Sequence, residues 1–280
     1  MSSETRRTIN ELLTRYELEP DLKDVYVEGQ YDKDVFSVCL GGAGNFSEVI
    51  YDISTVNVPA DALLEYNLSS GNKQRVLALA KKLSSLEFEC AYRCIIDKDL
   101  DHWLDCLEDV PRLKWTEHTC IELYFFTKEI ISHILITATR SKIKNMDVYL
   151  ASVADVLKVL FAMRLADRKK DWGLTWLDPT KQFSVNGDVV LFNSAIYVVN
   201  LLAANKRAKE LADFNVELEG WIKTLDGDPR GYIRGHDLVL LLAWTVKQFN
   251  GIKEFQNETA LERAFILVAD KAPELVALVR

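Results

Sequence analysis

Apolar residues in this chain recur with two different periods, and the switches between them mark out the elements. Residues 4–18 set apolar positions among charged ones at helical spacing, so a short leading helix is expected. Val25-Tyr26-Val27-Glu28 is a compact run of β-favouring residues that ends in a carboxylate and reads as the first strand. Gly29 permits a tight turn, and a helix over Lys33–Leu40 follows. The stretch GGAGNFSE then reads as a flexible connection. It lacks the Lys-Ser/Thr pair of a phosphate cradle and precedes a strand. That second strand covers Val49–Val58, and Asn72–Leu86 is a helix with Val76, Leu79, Ala80 and Leu83 on one face. Ala91–Ile96 and Leu113–Trp115 are the third and fourth strands, and TEHTCIELYFFTKEIISHIL carries a long helical pattern.

Strand and helix in alternation imply a parallel sheet with covering helices. From about Lys142 the pattern is mostly helical, over Asp147–Leu165, Asn193–Leu202, Lys206–Thr224 and His236–Phe249. The exception is TWLDPTKQFSVNGDVVLF, where Asp-Pro and Asn-Gly turns punctuate alternating runs and predict a small hairpin. Residues 1–140 are therefore expected to form an α/β domain. Residues 141–280 are expected to form a mainly helical region that contacts substrate, a partner or a second copy.

The length of 280 residues allows one large or two modest domains, and the net charge of −8 argues against general attraction to nucleic acid. A local basic groove is not excluded by that total. The start, MSSETRRTINELL, has no apolar run before a small-residue cleavage site, and no apolar stretch reaches membrane-spanning length. Cys39, Cys90, Cys94, Cys106 and Cys120 are odd in number and read as reduced thiols. A cytoplasmic protein with no membrane partner is expected. Cys106, His118 and Cys120 match no zinc spacing.

Candidate chemistry lies at the strand ends. Glu28 closes the first strand, and Asp97 and Asp99 follow the third. Parallel strands put these ends on one side of the sheet, where open α/β folds bind ligands. Crowded carboxylates repel, and a divalent cation relieves the repulsion. Mg²⁺ takes one or two carboxylates together with water and phosphate oxygens, which suits phosphoryl chemistry. Glu28 has an alternative, hydrogen bonding to amides at the start of the next helix, and its surroundings leave both open. DKDLDHWLDCLE spaces acids like a calcium-binding EF-hand loop, but His102 stands where that loop needs Gly. Asp101 likewise departs from the aspartate-pair motif of haloacid-dehalogenase-type phosphatases.

VYVEGQYDKDVF followed by CIIDKDLD resembles the Toprim domain of topoisomerases, primases and the overcoming-lysogenization-defect nucleases. TEHTCIELYFF and GYIRGHDLVLLL are similar to elements of a bacterial Toprim-like subgroup that includes the nuclease subunits of the PARIS anti-phage defence system. The resemblance implies a Toprim-like (Rossmann-like) α/β fold, a mostly parallel sheet flanked by helices, with a mainly helical C-terminal region containing a small β-hairpin. It also implies a Mg²⁺- or Mn²⁺-dependent endonuclease that acts as a toxic effector on nucleic acid, transfer RNA among its targets. An ABC-type ATPase regulatory subunit would restrain it, and homodimerisation would accompany activity.

Residue by residue, the resemblance makes Glu28 a metal ligand or general acid/base, and Asp97 and Asp99 the magnesium pair. Glu122 completes the site. Asp32 and Asp101 support the ligands, and His118 orients the element that carries Glu122. Cys120 and Leu123 replace the Asp and Asn usual around that glutamate, which weakens any case for a second metal.

His236 and Asp237 have two readings. Either His236 contacts the scissile phosphate or shuttles a proton, or Gly235 turns the chain and Asp237 caps a helix. No Ser, Cys or Lys stands in a recognisable nucleophile motif, so an activated water is the simpler nucleophile. Basic clusters at Arg140–Lys144, Arg164–Lys170 and Asn205–Lys209 are candidate phosphate contacts or solvated helix faces. A reading from another class is a catalytically silent binding subunit whose acids are structural.

Overall fold

The computed structural model describes residues 6–42 and 47–280. The central part of the GGAGNFSE connection and the first residues of the expected leading helix lie outside them. The architecture is α/β, with mostly parallel strands flanked by helices. The chain forms two compact units that are not consecutive halves. One comprises Met1–Lys98, Leu107–Tyr124 and Phe265–Arg280; the other comprises Asp99–Cys106 and Phe125–Ala264. The expected boundary near residue 140 falls inside the second.

The first unit begins with β1 (Arg7–Thr8) and α1 (Ile9–Leu18), started by a capping box in which Thr8 and Glu11 satisfy each other's backbone amides. Then follow β2 (Asp24–Val27), α2 (Gln30–Gly42), β3 (Val49–Asp52), β4 (Val56–Asn57), α3 (Ala60–Glu65), α4 (Asn72–Leu83), β5 (Arg93–Ile96) and β6 (Leu113–Trp115). The expected single strand over Val49–Val58 is two, because Asp52 takes the amide of Ser54 and turns the chain between β3 and β4.

The main sheet has four parallel strands in the order β3-β2-β5-β6, and β1 pairs with β4 in a separate parallel ribbon. Every residue of β2 is buried. Tyr26 joins the cluster of α1 and α4 side chains that includes Leu12, Val76 and Leu83. Val25 and Val27 point to the opposite face by strand alternation and are each 1% exposed. Apolar cover on both faces explains why this strand reads as a continuous apolar run. The remainder of the first unit returns from the far end of the described chain. The last part of α10 (Glu258–Leu267) and α11 (Glu274–Val279) belong to it, the latter packing on α2 and β5.

The second unit is mainly helical. It holds α5 (Lys128–Ser132), α6 (Met146–Lys170), the hairpin β7 (Phe183–Asn186) and β8 (Val189–Phe192), α7 (Ser194–Ala204), α8 (Leu211–Thr224) and α9 (Gly235–Gln248). The expected hairpin is present, turning at Gly187 with φ +60°. The long helix expected over TEHTCIELYFFTKEIISHIL is not. Lys98 N donates to Thr116 Oγ1, Thr116 Oγ1 donates to the His118 carbonyl, and Glu117 N donates to the Tyr124 hydroxyl. These bonds hold the backbone in loop form. Ile121–Phe125 makes a 3-10 turn, and Thr127 starts α5 afresh by accepting from Ile130 N.

Candidate functional site

The sheet order brings the first and third main strands side by side, with β3 and β6 outside them. Connections leave β2 and β5 in opposite directions across the sheet at this point. Ligands of open α/β folds bind beyond the carboxyl ends of such a strand pair. Glu28 is the residue after β2 and Asp97 the residue after β5. Glu28 Oε1 accepts from Asp97 N at 2.9 Å, so the glutamate reaches across the gap between the strands.

The helix-start role open to Glu28 is filled by Asp32. Its Oδ2 accepts from Gly29 N at 2.9 Å, at the entrance to α2. Burial first, then the charges of Glu28 and Glu122, push the Asp32 carboxyl up to about 8. Hydrogen bonds from the Gly29 and Glu28 amides oppose the rise without cancelling it. Asp32, Glu28 and Glu122 therefore form one electrostatic cluster. Glu122 enters it from the 3-10 turn after β6, where Leu123 N bonds to Cys120 O.

Around the cluster sit groups that position its loops. Thr116 ties the Lys98 amide to the His118 carbonyl, fixing the loop after β5 to the loop after β6. Lys98 Nζ donates to the Glu117 carbonyl at 2.8 Å, and burial lowers its pKa. The His118 ring lies 4.6 Å from that of Tyr124, in the 3-10 turn that carries Glu122. Burial, with the Asp97 charge among the lesser contributions, pushes the Tyr124 phenol up to about 12. A threonine directly after a short strand is the available sequence signal for the Thr116 link.

Asp99 and Asp101 belong to the second unit. Asp99 has φ +47°, a left-handed conformation that Asp tolerates. Asp101 opens a 3-10 turn over Asp101–Leu104. His236 is exposed in the first turn of α9. Asp237 is buried and does not cap: residue Arg234 occupies the cap position without a side-chain bond, and Asp237 pairs bidentately with Arg164 at 2.7 and 2.8 Å. The capping expectation is thus replaced by an ion pair. Several cations of two basic clusters are engaged within their own unit. Lys169 pairs with Glu217, Lys170 with Asp213, and Arg207 lies over the Trp172 ring.

Among the described residues no group of three or more His, Cys, Asp or Glu side chains is set as a cage for a metal ion. Mg²⁺ does not require one, since it keeps several waters and uses one or two carboxylates with substrate oxygens. The donor set fits it in charge and type: the proton that the crowded Asp32 retains is what a cation would displace. Among the described residues no helix is long and apolar enough to cross a membrane. No family model matches the chain, and no curated protein matches its sequence.

Proposed function

We propose that this protein is a Toprim-like, Mg²⁺- or Mn²⁺-dependent endonuclease that hydrolyses phosphodiester bonds of nucleic acid. The observation that carries the reading is the meeting of Glu28 and Asp97 at the carboxyl ends of adjacent parallel strands, with Asp32 and Glu122 crowded against the same point. Glu28 and Asp97 are the residues that would hold the metal, together with water and phosphate oxygens, and the resemblance adds Asp99 and Glu122. The ion supplies charge neutralisation at the phosphate when bound. Glu28, on the rigid end of a fully buried strand, serves as general acid/base for the attacking water. Asp32 fixes the Gly29 amide and with it the turn that aims Glu28. Lys98 and Thr116 set the loop that presents Asp97. The role as a toxic effector restrained by an ATPase partner, with transfer RNA among the substrates, rests on the family resemblance.

A second reading is favoured by one observation. Glu28 spends an oxygen on a backbone amide, as a structural carboxylate does. In that reading the chain is a silent binding subunit. Incubating plasmid DNA, single-stranded DNA and total transfer RNA with Mg²⁺ or Mn²⁺ separates the two, run alone and with any ATPase encoded next door. Cutting by the wild type that is lost in Glu28→Gln and Asp97→Asn supports the nuclease. No cutting under any of these conditions supports the silent subunit.

A further inference from the structure

A cleft of about 610 Å³ lies in the same unit as the acidic cluster. Arg6, Arg7 and Lys33 line it together with Tyr51 and the hydroxyl residues Ser54 and Thr55. Three cations and no carboxylate form its wall, in a chain whose net charge is −8. Such a local field is what concentrates anions against the overall balance.

The cleft is built, not incidental. The Arg7 guanidinium lies 4.9 Å above the Tyr51 ring, which itself stacks on Tyr26 at 5.7 Å. Arg7 is thereby preorganised, and pairing of β1 with β4 fixes its backbone opposite Val56. Arg75 holds the floor by donating to the carbonyls of Ile53 and Val56, on either side of Ser54 and Thr55. Among the described residues neither Arg6 nor Lys33 makes a side-chain hydrogen bond or ion pair. Their charge is available to a ligand.

Lys33 gives the cleft its meaning. It follows Asp32 in the first turn of α2, so one helical turn directs a carboxyl toward Glu28 and an ammonium toward the cleft. We infer that the Arg6–Arg7–Lys33 cleft binds backbone phosphate of a single nucleic-acid strand whose neighbouring linkage reaches the Glu28–Asp97 mouth. Guanidinium groups bind phosphate in a forked geometry, and aromatic surface beside them receives unstacked bases. The volume falls within the roughly 300–1,000 Å³ of clefts that enclose small ligands, room for a nucleotide unit. The identity of the ligand rests on the nuclease reading; the cationic cleft does not.

The test is fluorescence anisotropy with a short labelled, cleavage-resistant single strand in EDTA, on the full chain carrying Glu28→Gln so that nothing is cut. Adding Arg6→Ala, Arg7→Ala and Lys33→Ala together is expected to weaken binding at least about tenfold at low salt. The slope of log affinity against log salt should fall by about 2, at roughly 0.7 for each phosphate that the variant no longer neutralises. Lys33→Gln alone should lower it by about 0.7 and serves if the triple variant melts early. Unchanged affinity and slope in these variants would overturn the cleft and leave the nuclease reading standing. Absence of strand binding by the parent chain would also overturn the cleft, while the nuclease reading stands or falls separately on the metal-dependent cutting assay. A nucleoside bisphosphate that displaces the strand as well as unlabelled strand does would overturn the proposal in favour of a free nucleotide.

Discussion

Asp32 and Asp237 both stand third in a helix whose entrance is a glycine, and they have opposite surroundings. Asp237 meets Arg164 in a buried fork and is neutralised. Asp32 meets Glu28 and Glu122, accepts from the Gly29 and Glu28 amides, and holds its proton toward about 8. Glu11, also third in its helix, is a solvated member of a capping box, and its bond to the Thr8 amide lowers its pKa. The same local signature therefore supports a cap, a buried ion pair or a like-charge cluster. Chemistry is expected only in the third case, where protein groups leave the charge uncompensated.

The largest effect should come from breaking the compensated member. Arg164→Ala strands the buried Asp237 and is expected to cost about 3–5 kcal/mol in urea unfolding. Replacing both with Leu should recover most of that loss, because the pair's desolvation cost disappears with it. The uncompensated cluster should respond in function instead. Glu28→Gln is expected to reduce nucleic-acid cutting by at least about a hundredfold, equivalent to about 2.7 kcal/mol, with no loss of melting temperature.

Asp32 sharpens the contrast through pH. Its folded pKa is raised above the ordinary 3.8 to about 8, so the folded chain binds that proton more tightly than the unfolded one. Its contribution to stability is complete below 3.8 and is lost as pH rises toward 8. Thermal melting should fall across that window in the wild type and stay flatter in Asp32→Asn, which keeps an acceptor for Gly29 N. Above pH 8 the variant should be the more stable by roughly 1–3 kcal/mol, less than full linkage because Asp32 retains some solvent exposure. Mg²⁺ should stabilise the wild type more than the variant. The smallest change belongs to the solvated cap: Thr8→Ala should cost about 1 kcal/mol by denaturation.

How far the sequence can be read follows from the range of the forces involved. β2 and β5 are legible because short apolar runs bounded by turns leave few other conformations. Glu28 at a strand end is legible for the same reason. The break after β6 is not, since it depends on Thr116 and Tyr124 side chains capturing backbone groups. Asp237 looks like a cap in the sequence because its partner lies 73 residues away in α6. The two-unit division is out of reach for a similar reason: the apolar faces of residues 265–280 match a helix formed from residues 30–42.

That return sets an order of events. A ribosome delivers α2, which carries Asp32, long before it delivers the residues around Ala272, whose carbonyl accepts a bond from Cys39. The second unit is complete in the emerging chain before the first can close, and domains generally fold as they emerge. The acidic mouth is therefore assembled on a helix whose packing partner in residues 265–280 is the last segment of the first unit to be translated.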